Sequence, residues 1–217
     1  MFLVQGTRVG YCMPRLIAFG CSFTYGQSMP DCFKGKDIHI PADEPSKFAW
    51  PAVLSNMLGV ECVNQSKCGA SNLEILYRIL DFKFKKDDIV VIMWSMPDRD
   101  LFFRQIWGPF RQLGVWMSDR LAKKWITSVD EYDYIQRAWI YMHHADLYLK
   151  TLNIQYIHYP AHVPKIESLL SNIIIDNLHL NGQVVCDYAL DGIHSGIESH
   201  KQTAIIIFNI LHEHTTS

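Results

Sequence analysis

The feature that most constrains this chain is the run from Asp88 to Trp94, Asp-Ile-Val-Val-Ile-Met-Trp. Every residue after Asp88 is apolar, and most are β-branched. A strand with one wet face alternates apolar and polar residues, whereas an unbroken apolar run needs both faces covered. That demands a mainly parallel sheet sandwiched between helices. Other segments fit the same plan. Arg15 to Gly20, Val60 to Val63 and Asn153 to His158 read as strands, and Val184 to Asp187 reads as a weaker one. Phe48 to Leu58 has helical spacing, with Pro51 in the first turn, where proline is tolerated. Ser71-Asn72 precedes a helix to Phe82, and Ile197 to His212 forms the last helix. Strands alternating with helices predict a three-layer α/β/α sandwich.

The chain has 217 residues, 49% of them hydrophobic, enough for one sizeable core and a single domain over 1–217. The stretch 99–150, rich in aromatic and charged residues, reads as a helical insertion with a break near Gly114. Met13-Pro14 directly precedes the first strand, so residues 1–13 read as an N-terminal extension. A net charge of −2 argues against nucleic acid as a partner, and the cluster Lys83 to Lys86 reads as a solvated helix end. No apolar stretch approaches the roughly 20 residues that span a bilayer. Met1 to Arg15 lacks the basic start and continuous apolar run of a signal peptide. Six cysteines without CxxC spacing favour a reducing compartment. The expectation is a cytoplasmic protein.

In a parallel α/β sheet, ligands bind beyond the carboxyl ends of the strands. That rule puts Ser22, Gly69, Ser95 and the loop after Asp187 on one rim. Ser22 sits between an expected strand and an expected helix, flanked by Gly20 and Gly26. Such a serine is a helix cap as readily as a nucleophile. Asp191-Gly192-Ile193-His194 places a carboxylate three residues before an imidazole. An orienting acid and a base are what a serine hydroxyl needs to become nucleophilic. An Asp-x-x-His turn is common, and alone it is weak evidence.

Together, Gly20-Cys21-Ser22-Phe23-Thr24-Tyr25-Gly26, Asn64 to Asn72 with Gly69-Ala70-Ser71-Asn72, and Asp191 with His194 resemble the spaced blocks of the SGNH (GDSL-like) hydrolase family. His200 and Ala204 fit the family's habit of a second histidine and small residues entering the last helix. The resemblance implies a flavodoxin-like SGNH hydrolase fold and a serine esterase without metal or organic cofactor. Ser22 would be the nucleophile, His194 the base and Asp191 its orienting acid. The N–H groups of Ser22 and Gly69 would meet the oxyanion. Esters of small acyl or O-acetyl groups, including those on carbohydrate, would be the substrates. A catalytically weak glycan-binding module and an acyltransferase are the alternatives.

The chain departs from the family twice. Cys21 stands where the family often has Asp, and Met93 to Arg99 lacks the Asn of the third block. Ser95 or Arg99 is the candidate replacement donor. Asn72 and His158 are candidate substrate contacts, with His158 and His162 flanking Pro160 at the rim. His143-His144 with Asp146 is a poor metal group, because adjacent helical residues point about 100° apart. Phe102, Phe103, Trp107, Phe110, Trp116 and Trp125 would line an acyl or carbohydrate site, or form the core of the insertion.

Overall fold

A computed structural model of the protein describes residues 13–103, 110–114, 117, 120–161 and 174–213. Four parallel strands form the central sheet: β1 (Arg15–Phe19), β2 (Glu61–Asn64), β3 (Ile89–Trp94) and β6 (Gln155–Pro160), in the order β2-β1-β3-β6. Between β3 and β6, β4 (Asp100–Phe103) and β5 (Phe110–Leu113) pair as a separate antiparallel ribbon. The helices are α1 (Ser22–Tyr25), α2 (Trp50–Leu58), α3 (Asn72–Asp81), α4 (Arg120–Ser128), α5 (Glu131–Leu152) and α6 (Ile197–Glu213).

The unbroken apolar run of β3 is explained by what covers it. Val90, Ile92 and Trp94 face a layer built from α3 and α5, where Ile75, Ile79, Met142, Ala145 and Leu149 pack. Val91 and Met93 face the opposite layer, where Trp50 and Leu54 of α2 meet Ala204 and Ile207 of α6. β1 divides likewise, with Ile17 and Phe19 on one side and Leu16 and Ala18 on the other. Each such burial removes a whole side chain from water, worth about 1.5–3 kcal/mol. No described helix is long and apolar enough to cross a membrane.

The chain runs from β1 outward to β2, then returns past β1 to β3 and β6. Right-handed crossovers must change faces when the direction reverses, as α2 and α3 do. The reversal leaves a crevice beyond the ends of β1 and β3, where ligands bind in this architecture.

Three details differ from the sequence expectations. The stretch 99–150 opens with the β4–β5 ribbon, and only its later part is helical. Its second helix, α5, belongs to the core layer, because Tyr134, Ala138, Met142, Ala145 and Leu149 form one buried stripe. Residues 184–187 form no strand; the Asp187 side chain caps α6 instead. Residues 1–12 of the expected extension, with His162, Trp107 and Trp116, lie outside the described residues.

Candidate active site

Ser22 is the first residue of α1 and is nearly buried. The carbonyl of Cys21 accepts from the N–H groups of Thr24 and Tyr25, both at 3.0 Å, which winds the chain into this short helix. Phe19 of β1 pairs with Ile92 of β3. Ser22 and Ser95 therefore each lie three residues past a paired position and emerge at the same level of the crevice.

Gly69 is brought to the same rim by a stitched loop. The N–H of Gln65 donates to Ala18 O (2.7 Å) and that of Lys67 to Gly20 O (3.1 Å), extending the β1–β2 contact past the sheet. Asn64 Nδ2 donates to Thr24 O at 3.0 Å. Ala70 N–H then closes a turn on Lys67 O (3.0 Å), with Gly69 at φ 77°, a conformation in which a side chain is strained. Ser71 caps α3 through Glu74 N–H, and Lys67 Nζ reaches the buried Glu74 carboxylate at 2.7 Å. The N–H groups of Ser22 and Gly69 have no acceptor among the described residues.

The block that lacks the family's asparagine is held differently. Asn72 is buried and grips the backbone of Ser95 from both sides, donating to its carbonyl (3.1 Å) and accepting from its N–H (2.7 Å). Its amide fixes the loop after β3, which is a positioning role. Arg99 donates to Ser95 Oγ at 3.1 Å. Burial pushes the Cys68 thiol up, and the nearby Arg99 charge opposes that shift.

Asp191 and His194 come from a loop tied at its base. Gly196 N–H donates to Asp187 O (3.0 Å), and Tyr188 bridges Ser195. The Asp187 carboxylate accepts from the N–H groups of Glu198 (3.1 Å) and Ser199 (2.7 Å) and so caps α6 from ten residues upstream. A Cβ on Gly196 would collide with that carboxylate. Burial favours a protonated Asp187, but these hydrogen bonds outweigh it and hold its pKa down. Inside the loop, Asp191 Oδ1 accepts from the N–H groups of Ile193 (2.9 Å) and His194 (3.0 Å). Its Oδ2 lies 2.6 Å from His194 Nδ1. Burial alone would raise the Asp191 pKa; the imidazole and the two amides overcome it, so the carboxyl stays ionised well below the usual range. The imidazole ring lies 5.1 Å, centroid to centroid, from Phe23, the residue after Ser22. Leu190 N–H ties the loop to the carbonyl of Ser28, a buried residue held at φ 63°. His194 Nε2 has no hydrogen-bond partner among the described residues.

His158 corrects the sequence expectation. It is not at the rim but fully buried in β6, because the strand continues to Pro160 and turns residue 158 toward α5. Its Nδ1 accepts from Trp94 Nε1 at 3.0 Å, and its Nε2 faces Asp146 at 3.7 Å. Asp146, weighed with His143 and His144 as a metal ligand, is spent on this core contact. The capping role of Asp187 escaped sequence reading, because Ser195-Gly196-Ile197-Glu198 offers a local capping pattern while the carboxylate that caps α6 comes from ten residues upstream.

No family model and no curated protein matches the sequence. Solved structures do match. An acetyl xylan esterase, Est2A, from the rumen bacterium Butyrivibrio proteoclasticus superposes with TM-score 0.55 at 12% identity, over 94% of this chain and 64% of that one. A family 2 carbohydrate esterase with a carbohydrate-binding domain, from Corynascus thermopiles (Myceliophthora fergusii), gives 0.57 at 10% identity, over 94% and 67%. LAE5, an alpha/beta hydrolase from the metagenome of Lake Arreo, gives 0.50 at 14%, over 91% and 94%. The chain shares its fold with these esterases and this hydrolase. This chain thus spans just under two thirds of the Butyrivibrio protein. In a parallel α/β sheet the loops after the strands gather at the crevice where strand order reverses, and Ser22, Gly69 and Ser95 follow strand ends there.

Proposed function

We propose that this protein is a serine esterase that hydrolyses carboxylic esters of small acyl groups, O-acetyl groups on carbohydrate among them, through an acyl-enzyme. The observation that carries this reading is the Asp191–His194 pair, bonded at 2.6 Å, packed against Phe23 and leaving Nε2 unspent. Ser22 Oγ attacks the ester carbonyl while His194 Nε2 takes its proton. Asp191 keeps the Nδ1–H tautomer in place and stabilises the imidazolium. The oxyanion is met by the N–H groups of Ser22 and Gly69. Ser95 Oγ accepts from Arg99 and so has its own proton to donate as the third contact. The intermediate collapses as His194 returns the proton to the leaving alcohol. Water then repeats the cycle on the acyl-serine and frees the acid. The carbohydrate esterases of similar fold support the substrate class.

A fluorophosphonate probe tests the nucleophile. Labelling is expected in the wild type and in Cys21→Ala and is lost in Ser22→Ala. Turnover of short-chain aryl esters should fall by about 10⁴ or more in Ser22→Ala. An unlabelled wild type that turns over no aryl ester refutes the esterase. For the third donor, Ser95→Ala or Arg99→Met should lower kcat by about 10². If neither does, the oxyanion is stabilised by the two amides alone.

A further inference from the structure

Just outside the Gly69 turn lies a groove of about 280 Å³ at the β2 edge of the sheet. One wall is a face of α3: Glu74, Tyr77, Arg78 and Asp81 stand at the i, i+3, i+4, i+7 spacing that gathers side chains on one side of a helix. The other wall is the Gln65–Lys67 segment, and Phe82 closes the end. Lys67 is two residues from Gly69, so their Cα atoms are at most about 7.6 Å apart. The Lys67 end of the groove therefore lies beside that turn.

Its chemistry excludes most ligand classes. Lys67 pairs with Glu74 at 2.7 Å, and Arg78 approaches the same carboxylate at 3.8 Å. Glu74 is 2% exposed. An anion that captured Lys67 would strip a buried carboxylate of its nearest partner, which is strongly unfavourable. A cation would meet Lys67 and Arg78. A wholly apolar ligand would desolvate Asp81, Lys67 and Arg78 without hydrogen bonds in return. A neutral polyhydroxyl ring meets none of these objections. Its hydroxyls both donate and accept, serving Asp81 and Arg78 together. Its C–H face can lie on Tyr77, which is 45% exposed.

We infer that this groove is a saccharide subsite that holds a neutral pyranose unit of the substrate beyond the one bearing the ester. The inference rests on the carbohydrate-ester reading above and extends it to the substrate's length. Two experiments test it. The full chain carrying Ser22→Ala is titrated calorimetrically with xylohexaose, cellohexaose and free xylose. Binding of a hexaose is expected, weakened about tenfold by adding Tyr77→Ala or Asp81→Ala. In the active protein, Tyr77→Ala should raise KM for an acetylated xylo-oligosaccharide by a similar factor, leaving kcat and the aryl acetate KM unchanged. Absent hexaose binding, or equal binding with and without Tyr77→Ala, overturns the subsite. A wild type inert toward aryl esters defeats the esterase reading instead, while the titration still decides the groove.

Discussion

Asp191–His194 and Asp146–His158 are the same two side chains in opposite settings. Asp191 and His194 lie 2.6 Å apart on one loop, and the imidazole keeps partial exposure and one unspent nitrogen. Asp146 and His158 lie 3.7 Å apart on α5 and β6, both sealed from solvent. There the second nitrogen is spent on Trp94, and Asp146 also takes Tyr156 Oη and Lys150 Nζ, each at 2.8 Å. Burial disfavours the Asp146 charge, yet His158, Lys150 and Tyr156 hold its pKa at about 2. Burial pushes the His158 pKa down against the pull of Asp146, so the ring stays neutral and accepts from Trp94. An Asp–His pair is thus no sign of catalysis in itself. What distinguishes the two is whether a nitrogen is left over and whether it reaches solvent.

The sharpest way to break this contrast is to neutralise each acid in turn. Asp191→Asn should lower kcat by about 10⁴ through loss of the correct tautomer, with the melting temperature little changed. Asp146→Ala should do the reverse. It leaves the buried Tyr156 hydroxyl and His158 Nε2 without their acceptor while Lys150 keeps Asp176, and the expected loss of unfolding free energy in urea is about 1–3 kcal/mol, with the folded fraction keeping its kcat. If Asp146→Ala abolishes turnover in folded protein, the division of labour is wrong.

A third histidine extends the comparison. His200 is buried at α6 and accepts the Trp50 N–H at 3.0 Å, and burial brings its pKa down to about 4. Between pH 6.5 and 4 the unfolded chain takes up a proton that the folded chain refuses. Stability therefore falls as pH drops through that window, by about 3 kcal/mol from His200, with His158 acting in the same direction. His200→Asn should flatten the dependence of the urea midpoint on pH; an unchanged slope would show that His200 titrates normally.

The parts legible in the sequence were those set by local rules. The β3 run announced a sheet covered on both faces, and Ser71 marked the start of α3. Ser22, Gly69 and Ser95 could be placed on one rim because strand ends line up in a parallel sheet, whereas the Asp191/His194 turn follows no strand and meets Phe23 through its tie to Ser28. What stayed hidden depends on distant partners. The β4–β5 ribbon is an antiparallel pairing inside a segment whose composition suits a helix. His158 was misjudged by two residues of strand length, enough to move a side chain from rim to core. Asp187 was invisible because its amides lie across a loop that sequence reading cannot close.

That closed loop has a consequence for how the site would respond to motion. Asp187 and Gly196 pinch it at the base, and the Asp191–His194 bond is made wholly within it. Acid and base therefore travel together, whereas Ser22 rides on the sheet. If the loop swings, the base is displaced as a finished unit and returns with its tautomer intact. Aligning the proposed triad then reduces to one hinge angle between the loop and α1, and a substitution at Gly196, where a Cβ meets the Asp187 carboxylate, would act on that angle from outside it.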